Sequence, residues 1–422
     1  MKTIILGYSL FFAVSTVSNF NVYANDDVSK GKTKANACIG CHGSNGIGLG
    51  SEFPNLAGQK KLYLIKQLKD FRDGSRVDPT MKAIASTLSD TDIKNLSSYY
   101  SGLNSTSLKH VSKTSTLKNN KPLTEKATKN EFKQPVYVSM KKSATVESFP
   151  GEQTWKGGPN MLYIAVTPDG KKVLSTSPST NSVYVFNSKT GKQLAVIKVG
   201  KAPKGVKVTP NGKYAYVSNQ NSANISVIDL HSLTVVDTIS VREGPHNARF
   251  TKDGKLAYVT LQGGDGLAII DTAKRKMIQV IPVPGITGPH NIDLSLDENT
   301  AFVRDFVHNV AIVDLKTQKV KKVIKVGNGH GGIDVSPSGR YVSTAAIGAN
   351  FITVINTNDF TSKNIIVGNG PHGIRSSSDS RWIYVTVTKD NLIAVIDANN
   401  MQVVKKIAVG KFPFWVAVKD NP

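Results

Sequence analysis

From about Val136 onward, apolar and polar positions alternate in short runs, and the runs recur along the chain. Each is rich in Val, Ile, Tyr and Ala and is bounded by Gly, Pro, Asn or Asp, the pattern of buried or half-buried strands closed by turns. Units open every 41 to 44 residues, at Gly158-Pro159, Ala202-Pro203, Gly244-Pro245, Gly288-Pro289, Gly329-His330, Gly370-Pro371 and Phe412-Pro413. After each opening comes an apolar strand, then in most units a turn such as Pro168-Asp169-Gly170 or Pro210-Asn211-Gly212. A second strand follows (Tyr214 to Val217, Leu256 to Val259), then a third ending in Asp (Ile225 to Asp229, Leu267 to Asp271) and a Val/Ile-rich fourth. Four short strands in about 40 residues predict the blade of a β-propeller.

Six complete units run from Gly158 to Gly410. The tail Pro413 to Val418 supplies an inner strand with nothing after it, and Val136 to Phe149 reads as the strands that tail lacks. Joining the two ends makes a seventh blade and removes the open sheet edges. The repeat resembles the YVTN family of propellers through Tyr216-Val217-Ser218-Asn219, Tyr258-Val259-Thr260 and Tyr384-Val385-Thr386. That resemblance implies a scaffold and little about function.

The pattern before residue 104 is helical. Leu64, Ile65 and Leu68 share a face within Leu62 to Phe71. Ser89-Asp90-Thr91-Asp92 reads as a capping-box start ahead of Ile93, Leu96, Tyr99 and Tyr100. Between the two patterns, 104–134 is polar, with seven lysines and scattered apolar residues, and reads as a flexible basic linker. The predicted fold class is thus α + β multidomain: a small all-α domain at 25–103 followed by an all-β seven-bladed propeller at 135–422. Residues 1–24 read as a signal peptide, with Lys2 ahead of the apolar run Ile4 to Val14 and Ala24 at the cleavage point. That run is shorter than the roughly 20 residues of a membrane span, and no later segment is apolar enough to be one. The expected location is the periplasm, with no transmembrane segment after cleavage.

Among 422 residues only two are cysteine, which excludes a disulfide scaffold, a four-cysteine zinc site and a cysteine-ligated iron–sulfur cluster. Both lie in Cys38-Ile39-Gly40-Cys41-His42, the spacing of c-type haem attachment: two thiols bond the porphyrin and the adjacent His sits beneath the iron. A thioredoxin-like pair would need a preceding buried strand, whereas Val28 to Ala37 is polar and helix-compatible. Met81 is the sole methionine between Met1 and Met140. It lies in the Pro-bearing stretch Val77 to Met81, a candidate loop for a second axial ligand; a packing Met with an open iron face is the other reading.

Residues 26 to 103 resemble a class I cytochrome c of the short bacterial kind related to cytochrome c553. The resemblance rests on Pro54-Asn55-Leu56-Ala57-Gly58-Gln59, Tyr63, Gln67-Leu68, Asp70-Phe71-Arg72-Asp73-Gly74, Leu88-Ser89-Asp90 and Tyr99-Tyr100. It implies one covalent haem c, iron ligation by His42 and Met81, and one-electron transfer through an exposed haem edge.

The net charge is +23. Export removes nucleic acid from the expected partners and leaves acidic redox proteins, small anions or an anionic membrane surface. Six of the eight histidines lie in the propeller. Just after the opening Pro, successive blades carry Asn160, Lys204, His246, His290, Gly331, His372 and Phe414, with His330 one residue earlier in its blade. These positions predict a histidine-rich rim at one mouth of the channel, which Arg304, Asp305 and His308 could join, and His246, His290 and His372 are its candidate catalytic residues. Imidazoles without cysteine suit copper, iron or zinc, or a substrate needing hydrogen bonds and protons. The rival reading is a turn habit in which each imidazole caps a backbone carbonyl. Domain order resembles the haem d1 nitrite reductases, whose histidines overlie a second haem, although those have eight blades and no proximal-ligand motif is evident here. Copper-dependent propeller oxidoreductases offer the other parallel.

The expected function is haem-based electron transfer for a propeller acting as an oxidoreductase on a small substrate. The alternatives are a non-enzymatic carrier with a docking or ligand-binding propeller, and a haem d1-type nitrite reductase-like protein. A second metal or haem at the hub is an accompanying expectation, as are electron-donor or acceptor proteins as partners.

Overall fold

The computed structural model describes residues 21–43, 45–48, 53–103, 134–264 and 266–421. The expected leader therefore lies outside the described residues up to position 20, and the expected linker up to position 133.

The N-terminal module is built from α1 (Asn21–Lys34), α2 (Ile39–His42), α3 (Lys61–Asp73), α4 (Pro79–Ala85) and α5 (Asp90–Ser101). The α5 start is a capping box: Ser89 Oγ accepts from the Asp92 backbone N–H, and the Asp92 carboxylate accepts from the Ser89 backbone N–H. Ile93, Leu96 and Tyr100 on one face of α5 pack against Ala35, Leu64 and Leu88. Helix α1 crosses α5 at Gly31, where a Cβ would stand 2.1 Å from the Asn95 carbonyl oxygen, so a side chain there would force the two apart.

Met81 departs from expectation. It belongs to the short helix α4 rather than to a loop, because Asp78 accepts a hydrogen bond from the Met81 N–H at 2.8 Å and Pro79 occupies the first turn, where its missing N–H is no loss.

The remainder folds, among the described residues, into seven four-stranded antiparallel sheets. The C-terminal strand Pro413–Val418 pairs with Val136–Met140, with Val136 opposite Val418 and Val138 opposite Val416, so the two ends of the repeat share one sheet. That blade extends one strand beyond the expected stop at Phe149. Its outer strand, Gln153–Lys156, buries Trp155 against Tyr137 and Phe186.

Two side-chain devices recur. At the first turn of a blade a hydroxyl donates to the carboxylate or amide two residues on: Thr167 to Asp169 at 2.6 Å, Thr209 to Asn211 at 2.7 Å, Thr251 to Asp253 at 2.7 Å. The Thr of Tyr-Val-Thr reaches the next blade. Thr260 Oγ1 donates to the His290 carbonyl at 2.9 Å, and Thr386 Oγ1 to the Phe414 carbonyl at 3.1 Å. Between blades, apolar side chains interlock. Tyr258, Leu267 and Ile269 of one blade, for example, meet Ile292, Leu294 and Val303 of the next. Each such full burial contributes about 1.5–3 kcal/mol.

The inner strands are bulged near their starts, between Pro245 and Ala248, Pro289 and Asn291, and Pro371 and Ile374. A bulge breaks strict alternation and re-aims a side chain. At the turn-proximal end of the inner strands lies a largely buried charged layer. Arg249 pairs with Asp293 at 2.7 Å and Arg375 with Asp334 at 2.9 Å, and buried Lys207 has a depressed pKa through desolvation and these arginines.

Candidate functional site

The helical module sits on the mouth of the propeller. Gly40, inside Cys38-Ile39-Gly40-Cys41-His42, packs so closely on the turn before His330 that a Cβ on it would lie 2.9 Å from Gly329 Cα. Helix α4 is held on its propeller side by a Gln220-to-Thr80 hydrogen bond of 3.4 Å and a Lys82–Glu243 ion pair of 3.6 Å. Ile84 and Cys41 pack on Phe306 of the propeller.

Between the two modules lies a cavity of about 370 Å³. One wall carries Cys38, Cys41, His42 and Met81, and the other His246, His290, His330 and Phe414. The helical wall fits a haem. The two cysteines are not joined in a disulfide, the surrounding side chains include Leu64, Leu68, Phe71 and Ile84, and His42 Nδ1 donates to the Pro54 carbonyl at 2.9 Å. That bond fixes the ring and leaves Nε2 available to iron. Burial lowers the His42 pKa, favouring the neutral, ligating form, and raises that of the Cys38 thiol to about 11. The resemblance to free-standing cytochromes implied an exposed haem edge; here the propeller walls one side of the cavity.

The propeller wall differs from the expected rim in several respects. His246 Nδ1 donates to the His290 carbonyl at 2.8 Å, and His372 Nδ1 to the Phe414 carbonyl at 2.9 Å. Carbonyl capping therefore accounts for one nitrogen of each. It does not account for His290 Nδ1, His330 Nδ1 or His372 Nε2, which are buried without a hydrogen-bond partner. His246 and His290 rings lie 3.8 Å apart, and His330 stacks on Phe306 at 4.7 Å. His372 is fully buried behind the cavity, 5.0 Å from His330 by ring centroids. Desolvation depresses the pKa of His246, His290 and His330 far below the usual range and that of His372 to about 4.

Arg304 and Asp305 do not line the cavity but support it. The pair is completely buried at 2.6 Å, and Arg304 also donates to the Gly327 and Gly329 carbonyls, fixing the turn that presents His330. His308 is half-buried and outside the cavity wall, and His231 is exposed.

Tyr163 was missed. Its hydroxyl lies 3.3 Å from His246 Nε2 and 3.5 Å from His290 Nε2. The first blade carries extra residues after Gly158-Pro159, so Asn160 does not occupy the histidine position. Counting back from the turn Thr places Leu162 there instead, five residues before Thr167 as His246 is before Thr251, with Tyr163 one residue further on, at the position of Asn247.

Fold and site together define a helical haem-type module joined through a shared cavity to a propeller hub, the build of an electron-transfer protein. The comparisons agree. Residues 28–104 match the family model for cytochrome c, and 167–301 match that for a YNCE-like beta-propeller. Cytochrome c-554(548) of Halomonas halodenitrificans is 41% identical over 78 residues, 18% of this chain and 94% of that protein. Cytochrome c4 of Pseudomonas aeruginosa is 38% identical over 78 residues, 18% of this chain and 39% of that protein. A thiosulfate dehydrogenase electron acceptor of Stutzerimonas stutzeri is 47% identical over 60 residues, 14% of this chain and 28% of its own. The chain belongs to the cytochrome c family through its N-terminal module, and a YNCE-like seven-bladed β-propeller follows. It spans only about two fifths of the cytochrome c4 length. Kuenenia stuttgartiensis hydrazine synthase shares the fold alone, at 20% identity and a TM-score of 0.57 over 62% of this chain and 90% of that one. Family membership implies covalently bound haem c and redox partners.

Proposed function

We propose that this chain is a periplasmic oxidoreductase in which the cytochrome module and the histidine hub serve one site. In this reading Cys38 and Cys41 tether the haem, and His42 and Met81 ligate its iron. Haem c, when bound, supplies one-electron oxidation and reduction. The observation that carries the reading is the single cavity lined by both sets of residues. A carrier whose propeller only docked partners would have no need to bury partnerless imidazole nitrogens beside its haem site.

The chain's own groups would bind substrate and manage its protons. Tyr163 is kept protonated by burial and lies between His246 and His290, a path for one proton between hub and substrate. Lys141 and Lys204 in the same wall favour an anionic substrate. A haem d1-type site is not favoured, because the propeller has seven blades rather than the eight of those reductases.

The test is stopped-flow spectroscopy of the haem-loaded chain, reduced and oxidised, against small redox-active anions, thiosulfate among them. We expect at least one to change the haem spectrum, with a rate at least tenfold lower in Tyr163→Phe and His246→Phe, the scale of a lost proton-transfer group. Rates equal to wild type in both variants would return the propeller to a docking role.

A further inference from the structure

Three of the hub histidines carry more than substrate contacts require. One ring nitrogen from each of His290, His330 and His372 lies within 4.8 Å of the other two. All three side chains are more than nine-tenths buried. Leaving a buried polar atom without a partner is destabilising, and each of these three histidines has one, which calls for an explanation.

Proton accounting shows which ring nitrogens of these histidines are open to a ligand. His372 donates Nδ1–H to the Phe414 carbonyl, so in the neutral ring Nε2 is a bare lone pair. His246 donates Nδ1–H to the His290 carbonyl, so its Nε2 accepts from Tyr163. The Tyr163 oxygen then accepts from His290 Nε2–H, which leaves His290 Nδ1 as a second bare lone pair. His330 makes no side-chain hydrogen bond through Nδ1, and its ring is set by Phe306 and by the Arg304-held turn. Two of the rings thus keep a lone pair fixed by backbone-carbonyl or tyrosine contacts on the opposite nitrogen, and the third, His330, leaves its Nδ1 without a partner beside them. That is the arrangement of imidazoles around a metal ion. Closing from a 4.8 Å spread to ordinary metal–nitrogen distances of 2.0–2.1 Å needs shifts of only about 0.7 Å per ring.

We propose that His290, His330 and His372 form a mononuclear transition-metal site at the propeller hub, filled preferentially by copper. Three neutral imidazoles with neither thiolate nor carboxylate suit borderline first-row ions, and Cu²⁺ binds such sets most tightly. Asp305 is no competitor as a ligand, because its carboxylate is engaged by Arg304 and by the backbone N–H groups of Val307 and Asn309. His246 stands outside the set with both ring nitrogens engaged. The inference goes beyond the functional reading and stands without it, since metal uptake is measured with no substrate present.

The test uses the full haem-loaded chain, stripped with chelator, exposed to a slight excess of Cu²⁺ and desalted. Elemental analysis is expected to give a copper-to-iron ratio near one, with nitrogen hyperfine structure in the Cu²⁺ paramagnetic resonance spectrum. His330→Ala and His372→Phe are expected to lose that copper and His231→Ala to keep it. Wild type with no retained copper, or folded variants with unchanged copper and spectrum, would overturn the assignment. Should the hub variants not fold, the wild-type spectrum decides: several equivalent nitrogens support the site, and one or none overturns it.

Discussion

On the helical side of the cavity, three of the four residues proposed to hold the haem lie between Cys38 and His42, within a turn of helix and its flank. On the propeller side, His246, His290, His330 and His372 come from four consecutive blades and meet only because the ring closes. The first wall is a local object that stands wherever its few residues keep their order. The second depends on everything that fixes blade register: the turn hydroxyls, the inter-blade threonines and the Arg304–Asp305 pair. Changes to the first wall should therefore remove the cofactor and spare the fold, whereas changes to the second should weaken the fold first.

The largest effect tests that contrast from the helical side. The double change Cys38→Ala with Cys41→Ala is expected to abolish covalent haem, read as loss of haem stain on a denaturing gel. Propeller strand content by circular dichroism should not change. From the propeller side, Arg304→Ala leaves the Asp305 carboxylate buried and unpaired. It is expected to cost about 3–5 kcal/mol in denaturant unfolding of the propeller, with the haem spectrum retained.

The seam between the walls gives a smaller, sharper test. Gly40→Val pushes a branched side chain into Gly329, and overpacking of this kind costs about 1–3 kcal/mol. Here the loss should appear as undocking, read as faster proteolysis between the modules, with each module's own unfolding midpoint preserved. The smallest effect belongs to the exposed turn carboxylates. Backbone N–H groups and hydroxyls lower Asp253 and Asp297 to about 2 from an ordinary 3.8. Their contribution is present above about pH 4 and is lost as pH falls from 4 toward 2. Asp253→Asn and Asp297→Asn should flatten the propeller's acid-unfolding curve in that window and leave the helical module's curve unchanged.

The same contrast governs what could be read from the amino-acid order. Cys38, Cys41 and His42 are adjacent, and the blade count followed from openings that repeat at nearly constant spacing, so the helical wall, the seven blades and the circular closure were all legible. The direction of each hub imidazole was not. Periodicity places His246, His290 and His372 at one end of the inner strands, but the bulges after the opening Pro decide which enter the channel and how deep. Tyr163 escaped because, even registered on the turn hydroxyls, the first blade carries Leu162 at the histidine position and Tyr163 at the next one, where the other blades carry no histidine. Met81 was expected in a loop because Pro79 reads as a breaker, yet at a first helical turn Pro starts a helix. That the haem wall abuts the hub at all could not be read from the sequence, since a glycine pair meeting across two modules leaves no local pattern.

The central claim is that the haem site and the histidine hub share one cavity. A crystal structure of the haem-loaded chain, with anomalous data at the iron edge, tests it directly. The account predicts the iron peak beside His42, Gly40 packed on Gly329, and His290 and His330 in the wall of the same cavity. An iron-bearing module standing clear of the hub, with the propeller mouth open to solvent, would contradict it.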